Sequence, residues 1–233
     1  MDTLNGSEQN KLAVEPDGVL VEAATRQTPR GTLYFRRRVP VSRLEKMRLD
    51  EGLGIFFRYD LERQHENLLK IARMEYGNVI VAHTAEDLIA GYISMHLTDQ
   101  HDRWSILNKP GSTVQAYDFG AIEVGRNWRG MGVSKGLLQA AFEGDSWFED
   151  KIVTSVEFSW HWDNEELGMT KFNYRNMLKK VLESAGFNKM DTDEPNVMMD
   201  SANMFMVRIG PKVDPAIEQR FYSMLHKNNL WGL

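Results

Sequence analysis

Between Ile122 and Leu138 the sequence reads IEVGRNWRGMGVSKGLL, and its residue types suit the holding of a phosphate. An apolar run, Phe119 to Val124, gives way to a short polar loop. Arg129, Gly130 and Gly132 then open a segment in which Val133, Leu137, Leu138 and Ala141 recur at helical spacing. Strand, glycine turn and helix start in succession leave the first N–H groups of the helix without intrahelical partners, and the helix dipole adds positive potential there. Gly130 and Gly132 have no Cβ, so a ligand can lie against the backbone, while Arg129 and Lys135 add charge. A P-loop needs Gly-Lys-Ser/Thr at its end, but the order here is Ser134-Lys135-Gly136. A dinucleotide fingerprint needs GxGxxG after the first strand of a βαβ unit; GMGVSKG has one residue too many and falls mid-chain.

A third pattern fits better. Arg129-x-x-Gly132-x-Ser134, preceded by Ile-x-Val and followed by Leu-Leu, resembles the acyl-CoA signature of the GNAT superfamily of N-acetyltransferases, with Ser134 where that family keeps Gly or Ala. A narrower resemblance runs from about residue 18 to 212. The GAIEV run of residues 120–124, Trp160-His161-Trp162-Asp163, Thr192-Asp193-Glu194-Pro195 and the ANMFMVRIG run of residues 202–210 look like the acetoin-utilization acetyltransferase family of bacteria. That GNAT branch is regarded as protein lysine acetyltransferases, with AMP-forming acetyl-CoA synthetase as the known target, inactivated by acetylation of an active-site lysine. The resemblance implies an α/β GNAT fold: a mixed, mostly antiparallel sheet with two splayed parallel central strands, flanked by helices. It implies acetyl-CoA as co-substrate, held by Ile122, Val124, Arg129, Gly130, Met131, Gly132, Val133, Ser134, Lys135 and, on a later helix, Asn176.

Moving acetyl to a lysine poses a proton problem. With a pKa of ~10.4, about one lysine in 2,500 is uncharged at pH 7, so a base or a desolvating site is needed. Asp118 and Glu123 are the carboxylates of the central strand. Asp118 lies where several GNAT enzymes keep their catalytic glutamate and is the favoured base; strand alternation puts the two on opposite faces unless a bulge intervenes. His161 is a further proton acceptor, with Asp163 on the same strand face to orient a partner and Trp160 and Trp162 to line a substrate tunnel. The family's usual tyrosine acid falls at Leu182, which leaves water or Tyr174 to protonate the departing sulfur. A backbone N–H near Val124 is the expected donor to the oxyanion.

The elements that must position these groups follow from periodicity. Residues 1–17 read as a loose polar tail and 18–233 as one domain. Strands are expected at Gly18–Glu22, Thr32–Phe35, Asn78–His83, Leu88–Leu97, Val114–Val124, Ile152–Trp160 and Met204–Ile209, the Val114 and Ile152 strands being parallel because a helix, residues 130–143, joins them. Further helices are expected after Pro40, from Asp60 as N-cap, over Asn173–Ala185 and over Pro215–His226. The basic cluster Arg36, Arg37, Arg38, Arg43, Lys46 and Arg48 reads first as a solvated helix face and second as a dock for an acidic partner or the CoA 3′-phosphate. His96, Asp99, His101 and Asp102 read as a polar turn rather than a metal site, and the methionines at 198, 199, 204, 206 and 224 as core filler.

Composition narrows the class. With 233 residues and 42% hydrophobic content the chain can bury a core unaided. It has no cysteine, which removes disulfides and any cysteine acyl-enzyme, so acetyl moves directly from thioester to amine. The net charge of −5 argues against bulk nucleic-acid binding. No apolar run approaches a membrane span and no signal pattern is visible, so a cytoplasmic location is expected. Two other functions share these features: transfer to a small-molecule amine, and a non-catalytic acyl-CoA sensor.

Overall fold

The computed structural model describes residues 21–108 and 115–226; the expected tail, the first three residues of the expected Gly18–Glu22 strand and Val114 lie outside them. In chain order the elements are β1 (Val21–Thr28), β2 (Gly31–Arg37), α1 (Val41–Leu44), β3 (Arg48–Leu49), α2 (Leu61–Ala72), β4 (Asn78–His83), β5 (Leu88–Leu97) and β6 (Ala116–Val124). There follow α3 (Val133–Phe142), β7 (Ile152–Glu157), α4 (Lys171–Glu183), β8 (Asn188–Met190), α5 (Pro195–Met198), β9 (Met204–Ile209) and α6 (Pro215–Ser223). The strands form one nine-stranded sheet ordered β1-β2-β4-β5-β6-β7-β9-β8, with two-residue β3 beside β5.

Neighbours along this path are antiparallel except β6 and β7, and β3 also runs parallel to β5. The β6–β7 pairing is short: Ala116, Tyr117 and Asp118 meet Ile152, Val153 and Thr154, and beyond them the strands part. This is the splayed, mixed sheet of the GNAT fold. α3 and α4 cover one face, where Tyr117, Phe119, Leu137, Phe148 and Leu182 are fully or nearly fully buried in one cluster. α2 packs on the opposite face through Leu68 and Ile71, and α6 through Phe221 beside Trp104 and Phe205.

Local chemistry explains the boundaries. Asp60 accepts from the Arg63 N–H, Thr170 from Asn173 and Asp214 from Ala216, each taking up a donor that its helix leaves unpaired. The expected strand to Trp160 stops at Glu157, because Ser159–His161 forms a 3-10 turn. The strand-face argument for His161 and Asp163 therefore does not hold. Half of the basic cluster is spent inside the chain, Arg37 and Arg38 pairing with Asp145 and Arg43 with Asp87, while Lys46 and Arg48 are exposed. Met204 and Met206 are core residues, but Met198 and Met199 are 69% and 72% exposed.

Candidate active site

Where β6 and β7 part, a cavity of about 580 Å³ opens, lined by Gly120–Val124 of β6, Val156 and Glu157 of β7, the glycine turn and one face of α4. One side of it is the turn before α3. Gly130 and Gly132 have φ of 75° and 73°, left-handed conformations that favour glycine. An added Cβ at Gly130 would meet nothing within 4 Å, so the backbone there lies open. At Gly132 it would stand 2.6 Å from the Arg26 guanidinium, which β1 brings over the helix start. No side chain caps α3, so the N–H groups of its first turn are left to a ligand.

Of the expected cofactor contacts, Ile122, Val124, Arg129, Gly130, Gly132, Val133 and Ser134 line the cavity. Met131 packs against the core and Lys135 is exposed on the first turn of α3. Asn176 is exposed and accepts from Arg175. Helix geometry is the reason: Tyr174, Met177, Leu178 and Val181 share the cavity face at spacings of three and four, and Asn176, two residues from Tyr174, points elsewhere.

The chemistry side is built around a bulge. Ser94 pairs with Ala121 and Met95 with Phe119, so Gly120 is unopposed. The extra residue resets the alternation, and Asp118 and Glu123 fall on the same side of β6. Only Glu123 reaches the cavity. Its Oε1 accepts from the Gly54 N–H at 2.7 Å and the Ile55 N–H at 2.9 Å, and its Oε2 from the Tyr92 hydroxyl at 2.7 Å. Burial raises its pKa, and these donors oppose the rise. Asp118 sits opposite His96, away from the lining; burial raises its pKa, with His96 lowering it and Asp102 and Asp99 raising it.

Glu157 was not singled out by sequence. It ends β7 inside the cavity, accepting from Ser155 Oγ at 2.8 Å. Burial, with help from the charge of Asp118, pushes its carboxyl up to about 7. Beside it Tyr174 stacks on Trp162 with ring centroids 5.3 Å apart, and burial pushes the phenol up to about 12. His161 stands at the rim, edge-on to Phe56 at 5.5 Å, with desolvation lowering its pKa. Trp162 lines the cavity, whereas Trp160 stacks on Phe158 outside it and is 54% exposed.

Asp163 is a clasp. It accepts from Arg129 at 2.7 Å and from the Tyr59 hydroxyl at 3.2 Å, while Arg126 lies 4.1 Å from the Tyr59 ring centroid and pairs with Glu166. The loops before α2 and before α4 are thereby tied together across the cavity. On β6, the Glu123 carbonyl faces Gly91 of β5. The same trans peptide turns the Val124 N–H toward the gap left by β7. Leu182 is fully buried, so Tyr174 is the phenol that lines the cavity. Among the described residues no cluster could hold a metal ion, and no helix is long and apolar enough to cross a membrane.

No protein-family model matches the chain. It is 30% identical over 195 residues to the acetoin utilization protein AcuA of Bacillus licheniformis, covering 84% of this chain and 89% of that one. It is 35% identical over 164 residues to the protein of the same name in Bacillus subtilis, covering 68% and 75%. The crystal structure of an acetoin utilization protein from Exiguobacterium sibiricum superposes with a TM-score of 0.80 at 28% identity, covering 89% of this chain and 96% of that one.

Proposed function

The chain belongs to the acetoin utilization protein AcuA family and is a GNAT-type N-acetyltransferase; from that premise we infer that it transfers acetyl from acetyl-CoA to a protein lysine, with AMP-forming acetyl-CoA synthetase as the acceptor and loss of the synthetase's activity as the result. The observation that carries this reading is the gap between β6 and β7, which joins an uncapped, glycine-lined helix start to a carboxyl-bearing cavity. Acetyl-CoA fits it with pyrophosphate on the α3 amides between Arg26 and Arg129 and pantetheine between the parted strands. GNAT acetyltransferases use acetyl-CoA, and when bound it supplies the activated acetyl group.

In this reading the thioester carbonyl meets the Val124 N–H, which stabilises the oxyanion. The acceptor amine enters past His161 and Trp162, loses a proton to a carboxylate of the cavity and attacks. The carbon–sulfur bond breaks and the thiolate takes the amine's remaining extra proton through Tyr174 or water. A thiolate needs less help to leave than an alkoxide, which makes Leu182 tolerable.

A protein acceptor is favoured over a small polyamine by the cavity mouth. Leu167 and Met177 of the lining are 39% and 37% exposed, as an apolar docking rim would be. Of the three acidic side chains in the lining, Glu123 and Asp163 are engaged within the chain. Incubation with acetyl-CoA and acetyl-CoA synthetase, followed by mass spectrometry, tests the reading. Acetylation of one synthetase lysine with loss of its activity is expected; thiol release without acetylated protein would favour a small amine, and binding without turnover would defeat the reading.

A further inference from the structure

Two glutamates face the cavity, and their surroundings differ in a way that assigns the proton transfer. Glu123 is the more heavily engaged: three donors fill three of about four acceptor positions on its two oxygens, and two of them are backbone N–H groups of the Gly54–Ile55 turn. Protonating it would weaken the charge-assisted bonds that hold the Gly54–Ile55 turn. Glu157 accepts a hydrogen bond from Ser155, and the indole N–H of Trp162 also favours its ionised form, but among the described residues no backbone N–H binds it.

The Ser155 donor has a second acceptor. Ser155 Oγ lies 2.8 Å from Glu157 Oε1 and 3.1 Å from the Phe119 carbonyl. A hydroxyl carries one proton and so can donate to only one of them at a time. With Glu157 ionised, the proton points to the carboxylate. With Glu157 protonated, the carboxyl can donate to Ser155 Oγ, which then turns its own proton to Phe119. Both protonation states are satisfied without moving a backbone atom, as a group that takes and releases a proton each cycle requires.

We propose that Glu157, held by Ser155, is the residue that takes the proton from the acceptor ammonium, and that Glu123 is a positioning residue that fixes the Gly54–Ile55 turn. The step balances simply: the R–NH3⁺ proton passes to the Glu157 carboxylate, the neutral amine forms the carbon–nitrogen bond, and the proton on Glu157 returns to solvent after thiol release. This assignment rests on the acetyl-transfer reading above. The charged and titratable groups facing Glu157 are Asp118 and Glu123 from β6, Arg129 before α3, His161 and Asp163 after β7, and Tyr174 from α4. The burial that raises Glu157 to about 7 suits a base working near neutrality.

The test uses the full chain with acetyl-CoA and n-butylamine, a lysine side-chain mimic that removes any need for the protein target, and thiol release as readout. Wild-type kcat/KM should rise with pH and level off above about 7. In Glu157→Gln it should fall by roughly 10²- to 10³-fold at pH 7 and keep rising through pH 9 with the fraction of free amine, while acetyl-CoA affinity by calorimetry changes less than about threefold. Ser155→Ala keeps the carboxylate and should move the levelling point upward, which decides the matter if Glu157→Gln misfolds. A wild-type profile in Glu157→Gln, or an unmoved levelling point in Ser155→Ala, would overturn the proposal alone. Absence of turnover by the wild-type chain with any amine would bring down the acetyl-transfer reading itself.

Discussion

The two lips of the gap, the end of β6 and the end of β7, are lined by the same kind of residue and built on opposite plans. On the β6 lip, Glu123 is closed in by Gly54, Ile55 and Tyr92, and the turn beyond it is braced by Trp128, whose indole donates to Asp50 at 2.9 Å. On the β7 lip, Glu157 ends its strand with side-chain donors, Ser155 and the Trp162 indole, and the cavity in front of it. A carboxylate fixed by backbone donors holds structure together; one held by side chains, one of them a hydroxyl that can turn, can exchange a proton. Proximity to the glycine turn does not separate the two, whereas the hydrogen-bond inventory does.

The sharpest way to break the β6 lip is Gly132→Glu. The new side chain would strain a left-handed position, displace the end of the Arg26 side chain and bring a negative charge to the helix start. Acetyl-CoA affinity measured by calorimetry should fall by roughly 100-fold or more. An unchanged affinity would remove the cofactor from this turn. Next in size is Glu123→Ala, which strands the Gly54 and Ile55 N–H groups and the Tyr92 hydroxyl. Each buried group left without a partner costs about 1–3 kcal/mol, so a Tm lower by roughly 5–15 °C is expected in a thermal melt. Glu157→Gln should lower Tm by no more than about 2 °C at pH 7. Equal losses in the two variants would erase the contrast between the lips.

Much of the scaffold could be read from the chain and much of the site could not. β4, β5 and β9 fall at their expected bounds because their apolar runs are closed by turn residues, and α2 starts at Asp60 because a cap is a local signal. The glycine turn was equally local. Glu157 escaped notice because its exposure to the cavity depends on β7 leaving β6 after Thr154, and no residue near 157 announces that departure. Arg26 was missed for a similar reason: its contact is with residue 132, supplied by a hairpin more than a hundred positions away. A count along β6 from Val124 points to Asp118, but the Gly120 bulge shifts that count by one. Asn176 was carried over from a helix pattern whose cavity face, set by packing against α3 and the sheet, runs through Tyr174 instead.

The contrast also has a signature in stability against pH. A carboxyl raised from 4.5 in the unfolded chain to about 7 in the folded protein binds its proton more tightly when folded. Between those values the native state holds the extra proton, so stability falls as pH rises, and the loss is complete above the folded value. Most carboxylates act in the opposite direction. The expected size is about 1–3 kcal/mol at pH 8 relative to pH 4.5. Urea melts of wild type and Glu157→Gln across this range should diverge, with the variant relatively more stable at the alkaline end. Parallel curves would mean that Glu157 has an ordinary carboxylate pKa.

Asp118→Asn carries the smallest effect and separates two accounts of Asp118 itself. Its charge helps to hold Glu157 up, after burial, yet its side chain lies outside the cavity lining opposite His96. Neutralising it should lower the Glu157 pKa, so the pH at which kcat/KM levels off should move to the acid side by less than about one unit, while the rate at pH 8 stays within about twofold of wild type. Were Asp118 the group that accepts the amine's proton, the variant would instead lose the levelling and most of its rate. The direction in which the limb moves therefore decides whether β6 contributes a base to the reaction or only a field to the base on β7.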